Sequence, residues 1–250
     1  MGSGSAVAVE ASQIVLLDDN FATIVRAVKG GRRVYGSVQK FIAFLFSGNL
    51  GVVLAMFLGA LLAGVFHLSD NQGLLLPLTA GQILWMNLAV DGAPALAFAL
   101  ARTHEDVMNE PPRAPDAPIL TADLWRYLIF CGSFVSLALL LVLDLLYRGG
   151  IFNMHSHDAA FARTAAFYMV VCTRLCNAFN FRSLPGSLFR RDFFADPWVP
   201  GACLMSWLLT LGVMYFVPLQ KAFGLVFLDL DHLFWLTVLS PLIVVPAEIY

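Results

Sequence analysis

Six stretches of predominantly apolar residues, each near the ~20 residues that a helix needs to cross a bilayer, run through this chain of 250 residues. They lie at 41–66, 80–100, 124–147, 161–181, 199–219 and 232–250. Lipid offers the backbone no hydrogen-bond partners, so a spanning stretch must satisfy its own amides and carbonyls as a helix. The prediction is an all-α polytopic membrane protein with six transmembrane helices. Breaker clusters separate the stretches: 69–73, 111–118, Gly149-Gly150, Pro185-Gly186 and Gln220-Lys221. Composition agrees, with 59% hydrophobic and 13% charged residues and a mean hydropathy of +0.77. Fifteen Lys and Arg face 17 Asp and Glu, which excludes a nucleic-acid binder that relies on bulk positive charge. Cys131, Cys172, Cys176 and Cys203 all sit in apolar stretches and read as buried free thiols. Residues 1–30 carry no cationic segment followed by an apolar one, so they are no secretory signal.

Charge sets the orientation. With the N-terminal segment in the cytoplasm, Arg26, Lys29, Arg32, Arg33, Lys40, Arg102, Arg113, Arg126, Arg182, Arg190 and Arg191 all fall inside, against Arg148, Arg163 and Lys221 outside. The positive-inside rule then puts both termini in the cytoplasm.

Residues 1–30 differ in kind. Residues 13–17 read as a short buried strand, Asp18-Asp19-Asn20 as helix-capping chemistry and 21–29 as a short helix. One strand and one helix cannot bury a core, so the segment reads as an α/β remnant of a larger soluble domain. Residues 32–40 have the pattern of a helical stalk that continues into the first span.

Polar side chains at membrane depth are costly and point to function. Asn49, Asn87, Asp91, Asp144 and Arg174 qualify, and Asn177 and Asn180 extend the set toward one end of the fourth span. Asn87 and Asp91 are four apart and share one helix face, about 6 Å apart along the axis. Pro94 denies the carbonyl of Val90 its helical donor, and Gly92 loosens the backbone further. The helix is expected to open here. A carboxylate, an amide oxygen and freed carbonyls make a hard oxygen site for a cation. The alternative is a kinked helix whose polar groups are satisfied by neighbours. Asn49 lies in Ser47-Gly48-Asn49-Leu50-Gly51, where small residues admit a second helix and the amide suits an interhelical bond. Arg174 stays charged and needs a partner: Asp91, Asp144, or the membrane edge by snorkelling. Asp144 has a bland local partner in Arg148. His155-Ser156-His157-Asp158 is a weak metal motif on a loop. Residues 105–113 read as a solvated connector, with docking to a soluble domain as the alternative. No phosphate loop, nucleophile triad or zinc spacing is present.

Four motifs carry a family resemblance. Residues 1–8 followed by Val15-Leu16-Leu17-Asp18-Asp19-Asn20-Phe21 resemble the end of the phosphorylation domain of P-type cation ATPases, nearest the calcium-pump branch. Gln82-Ile83-Leu84-Trp85-Met86-Asn87-Leu88 with Asp91, Gly92 and Pro94 resembles the sixth transmembrane helix of that branch. Asn109-Glu110-Pro111-Pro112-Arg113 resembles the loop after it, and Leu175-Cys176-Asn177-Ala178-Phe179-Asn180 resembles the eighth helix.

The resemblance implies that the spans are helices five to ten of a ten-helix pump. It divides the chain into a phosphorylation-domain remnant (1–30), a stalk with the first span (31–66) and a transport domain (67–250). It also implies that the chain itself holds no cofactor, ATP and magnesium being used by residues upstream. The expected partners are the bilayer, the transported cation and the remaining portion of the pump, in the plasma membrane. Asn49, Asn87 and Asp91 match ion ligands of the family. Val90 replaces a ligand threonine, so only its carbonyl can serve. A ligand glutamate falls on Val52 and an acidic or amide ligand on Arg174. Those departures imply a single ion site, with calcium, another divalent ion or a proton as cargo. A non-catalytic six-helix fragment and an ATP-independent channel or carrier are the rival readings.

Overall fold

The computed structural model describes residues 1–64, 69–70, 73–74, 76–100, 105–109, 111–114, 116–147, 158–182 and 197–244. It is a helical bundle. In chain order the helices are α1 (Ala6–Glu10), α2 (Phe21–Leu61), α3 (Ala80–Trp85), a π-helical turn (Met86–Val90), α4 (Gly92–Leu100), α5 (Ala122–Leu146), α6 (Ala159–Arg182), α7 (Trp198–Tyr215), α8 (Val217–Ala222) and α9 (Leu230–Val244). A two-residue strand pair joins Ser69–Asp70 to Gly73–Leu74.

Among the described residues, five helical segments are long and apolar enough to cross a membrane: Phe21–Leu61, Ala80–Leu100, Ala122–Leu146, Ala159–Phe181 and Trp198–Tyr215. Large apolar side chains are exposed on their outer faces, among them Phe57, Leu88, Leu96 and Leu137. That is the arrangement expected where lipid is the solvent. The predicted sixth span corresponds to α9, whose described part is 15 residues, with Pro241 inside it. The predicted fifth span is shorter than expected. α7 stops at Tyr215 and α8 restarts at Val217 with Pro218 in its first turn, because a proline cannot continue a helix that needs its N–H.

α2 begins where the carboxamide of Asn20 accepts from the amide of Ala22 at 2.9 Å. Its 41 residues reach about 60 Å, twice the bilayer core. The predicted short helix and stalk are therefore one continuous rod with the first span. Its buried face is Ala43, Phe44, Ser47, Gly48, Gly51, Val52, Ala55 and Gly59, spaced three and four apart. Small residues there bring α2 against α5. A Cβ on Gly51 would lie 2.9 Å from the Val135 side chain and 3.2 Å from the Gly132 carbonyl.

The stalk is held from outside. Arg32 donates to the Val107 carbonyl at 2.7 Å, and Gln39 to the Ile119 carbonyl at 2.8 Å. The Arg113 guanidinium lies 4.3 Å over the Tyr35 ring and donates to the carbonyls of Ala117 and Pro118.

Residues 13–17 are not a strand. They are irregular, with Ile14 and Leu17 largely exposed, and the Leu16 carbonyl accepts from the Gly2 amide at 2.6 Å. A strand needs a second strand to complete its hydrogen bonds, and among the described residues the segment pairs with none.

α6 is the hub. From Ala162 to Phe181 nearly every residue is buried, on all faces, as befits a helix surrounded by others. It packs against α2, α5, α7 and α9. A polar lock ties its far end to α7 and α9: the Tyr168 hydroxyl meets the Thr237 hydroxyl at 2.7 Å and accepts from the Trp207 indole at 3.1 Å.

Candidate cation site

The site lies where α2, the π-helical turn and α6 meet. Its first determinant is the start of α3. The hydroxyl of Thr79 accepts from the Gln82 amide, and the Gln82 side chain accepts from the Thr79 amide, in a capping box. The Gln82 carboxamide also donates to the Phe223 carbonyl at 3.4 Å, which pins this end to the turn after α8.

The second determinant is the opening of the helix. It occurs as predicted near Pro94, but as a widened turn rather than a break. The Asp91 amide donates to the Met86 carbonyl, five residues back, at 2.9 Å. Such π turns insert a residue and commonly mark functional sites. The proline leaves the Val90 carbonyl without its usual donor. A residue from α7 takes it up: the Ser206 hydroxyl lies 3.1 Å from the Ala89 carbonyl and 3.3 Å from that of Val90.

The third determinant is Arg174. It is 2% exposed, and its guanidinium spans three predicted ion ligands. One terminal nitrogen, Nη1, donates to Asp91 Oδ2 in a buried ion pair and lies 3.4 Å from Asn87 Oδ1. The other, Nη2, donates to Asn49 Oδ1 at 3.1 Å. Two polar atoms in this cluster, Asp91 Oδ1 and Arg174 Nε, are buried and have no hydrogen-bond partner among the described residues.

Asn49, Asn87, Asp91 and Arg174 are thus brought together from three helices. Of the partners considered for Arg174, Asp91 is the one it takes, and snorkelling is excluded by its burial. Asn177 stands apart from the guanidinium. It donates to the Ser47 hydroxyl at 3.0 Å and accepts from Asn180 at 3.1 Å, in a ladder along α6. Val90 contributes a carbonyl directed to Ser206. Asp144 is buried on α5, and its proposed partner Arg148 lies outside the described residues. So do His155, Ser156 and His157, while the Asp158 carbonyl accepts from Phe161 and Ala162 to start α6.

Two residues escaped the sequence reading. Ser206 is one hydroxyl in an apolar helix, and nothing in the chain says which carbonyl it meets. Gly48 was legible as a small residue that admits a neighbour, but the neighbour is the Arg174 side chain rather than a helix backbone.

Residues 75–250 match the family model described as cation transporting ATPase, C-terminus. The chain is also 38% identical over 221 residues to the calcium-transporting ATPase of Bacillus subtilis (strain 168), across 88% of this chain and 23% of that protein. The chain belongs to the cation-transporting P-type ATPases. It corresponds to their C-terminal membrane region, calcium-pump-like, and spans about a quarter of the length of the curated relative it matches. Its spanning helices make it an integral multi-pass membrane protein of that family.

Proposed function

We propose that this chain carries the transport site of an ATP-driven P-type pump that moves calcium or another divalent cation, one ion per cycle. The observation that supports this most is the Arg174 guanidinium seated on Asn49, Asn87 and Asp91. A guanidinium does not give up its proton in a protein, so a fixed positive charge sits where two-ion relatives are expected to place a neutral or acidic ligand. Among the described residues, the one carboxylate in the cluster is already paired with that charge through one of its two oxygens. A first divalent ion can compete for Asp91, whose Oδ1 accepts no hydrogen bond. A second would face both the first ion and the arginine in a medium of low dielectric.

In this reading the oxygens of Asn49, Asn87 and Asp91, with the Val90 carbonyl, bind the cargo on one side. Carbonyls and a glutamate from an upstream helix complete it. Arg174 is a resident counter-charge that holds the site together while the cargo is absent. Asn177 and Ser47 brace the same stretch of α2 and α6. ATP and magnesium are handled upstream, and residues 1–30 continue the phosphorylation domain. α2 (Phe21–Leu61) carries the motion of that domain to Asn49 as a rigid rod, and residues 67–250 form the transport domain. Six spans, α9 (Leu230–Val244) supplying the last, place both termini in the cytoplasm, with the plasma membrane as the site of action.

Asp91→Asn tests the assignment. In membranes that express the full-length pump, cation-dependent phosphorylation by ATP is expected to disappear, because the amide keeps the shape and loses the charge. Phosphorylation with the same dependence on cation concentration as the parent would refute the role of Asp91.

A further inference from the structure

Gly30, Gly31 and Gly36 of α2 face open space, but a glycine on its packed face stands where a methyl group has to fit, and alanine is the better helix former wherever it does. Gly51 and Gly59 have ordinary reasons. A Cβ on Gly51 would strike Val135 and the Gly132 carbonyl, and one on Gly59 would strike Pro77 at 2.6 Å. These are helix-packing contacts. Gly48 is different. A Cβ there would lie 3.1 Å from Arg174 Nε, 3.2 Å from Cζ and 3.6 Å from Cδ. The three nearest atoms all belong to one buried side chain.

Contacts of 3.1–3.2 Å require the neighbour to give way by a few tenths of an ångström. Most arginines would do so easily. Here the guanidinium is rigid and planar, and both its terminal nitrogens are held, one by Asp91 and Asn87, the other by Asn49. It cannot slide away from α2 without stretching those bonds. The unpartnered Nε lies on the side that faces Gly48. Among the described residues no acceptor meets Nε; on α2, Asn49 holds the other edge of the guanidinium, and Gly48 leaves the space in which Nε sits.

We propose that Gly48 is a positioning residue for the transport site: a notch in α2 that lets the Arg174 guanidinium lie flat against the helix and reach Asp91, Asn87 and Asn49 at once. The proposal rests on the reading of Arg174 as the resident counter-charge. It adds that the counter-charge is set by a shape on α2, the rod that joins the site to the stalk. Any movement of α2 past α6 shifts the notch and so loosens or tightens the arginine on Asp91.

A double-mutant cycle in the full-length pump tests it, with Gly48→Ala, Arg174→Gln and the pair. Gln lacks Cζ and both terminal nitrogens, the groups that anchor the arginine to Asp91, Asn87 and Asn49, so its shorter end can turn away from the methyl group. Two readouts are taken: the thermal unfolding midpoint in detergent without divalent cation, and the calcium concentration for half-maximal phosphorylation. Gly48→Ala alone is expected to lower the midpoint. It is expected to shift half-saturation in the same direction as Arg174→Gln, toward lower calcium, by a smaller factor. In the Arg174→Gln background it should do neither, and a poorly expressed Gly48→Ala should be rescued there. Gly51→Ala is the packing control, whose loss should be the same in both backgrounds.

Equal effects of Gly48→Ala in both backgrounds, or none in either, would overturn the proposal. An Arg174→Gln pump with unchanged half-saturation would instead overturn the counter-charge reading. The unfolding midpoints would still decide whether Gly48 positions the arginine.

Discussion

At the residue scale, the chemistry concentrates on one buried ion pair and one hydroxyl. Arg174 and Asp91 are each at most 2% exposed. Breaking a buried pair by removing one partner typically costs about 3–5 kcal/mol, because the other charge is left uncompensated. Ser206 acts through backbone rather than charge. It serves the Ala89 and Val90 carbonyls beside the widened turn. Ser206→Ala is expected to lower stability by about 1–3 kcal/mol, the usual penalty for a buried acceptor that loses its donor. Denaturant unfolding in detergent against Ser206→Thr, which keeps the hydroxyl, would measure it. An alanine variant as stable as the parent would show that the carbonyls find another donor. Much of this scale was legible. Asn49, Asn87, Asp91 and Arg174 stand out because ionisable and amide groups are rare in apolar stretches. Which of them touch was not legible, since Arg174 is 83 residues from Asp91 and 125 from Asn49. Only packing brings them together.

Among the described elements, α2 is the longest. Its apolar stripe and small residues fix it to α5, while residues 32–39 are clasped by Val107, Arg113 and Ile119. The clasp is made of exposed and half-buried contacts, so each is weak on its own; the Tyr35–Arg113 stack contributes about 0.5–1 kcal/mol. Arg113→Ala removes that stack together with two carbonyl bonds. Hydrogen exchange is expected to speed up at residues 32–40 and stay unchanged at 43–59, where packing on α5 protects the amides. Equal protection at 32–40 in both proteins would mean that the clasp holds nothing. Of the long rod, the stalk at 32–40 running into the first span was readable, while its join to the helix at 21–29, read as part of a soluble domain, was not, and the helix runs through it. The π turn at Met86–Val90 was readable as an opening from Pro94, but not as a widened turn. Its register depends on where Asp91 must point. The strand expected at 13–17 failed for a plain reason: apolar residues favour a strand only when a neighbour is there to pair with it.

At the scale of the whole molecule, the bundle is organised from α6 outward. The most buried helix carries the positive charge, and the helices around it present oxygens to that charge. Exposed side chains such as Phe57, Leu88, Leu96 and Leu137 are apolar, while Asp91, Arg174, Asn177 and Asn180 turn inward and Asn87 stays exposed beside them. In the proposed reading this bundle holds a site with one carboxylate and one arginine among the described residues, and the central consequence is a count. Isotope uptake set against ATP hydrolysis, in vesicles that hold the full-length pump, reads that count most directly. One calcium ion per ATP is the result predicted by an arginine seated on Asp91. Two ions per ATP would contradict it, because no room or charge would then be left for Arg174 to remain where it lies.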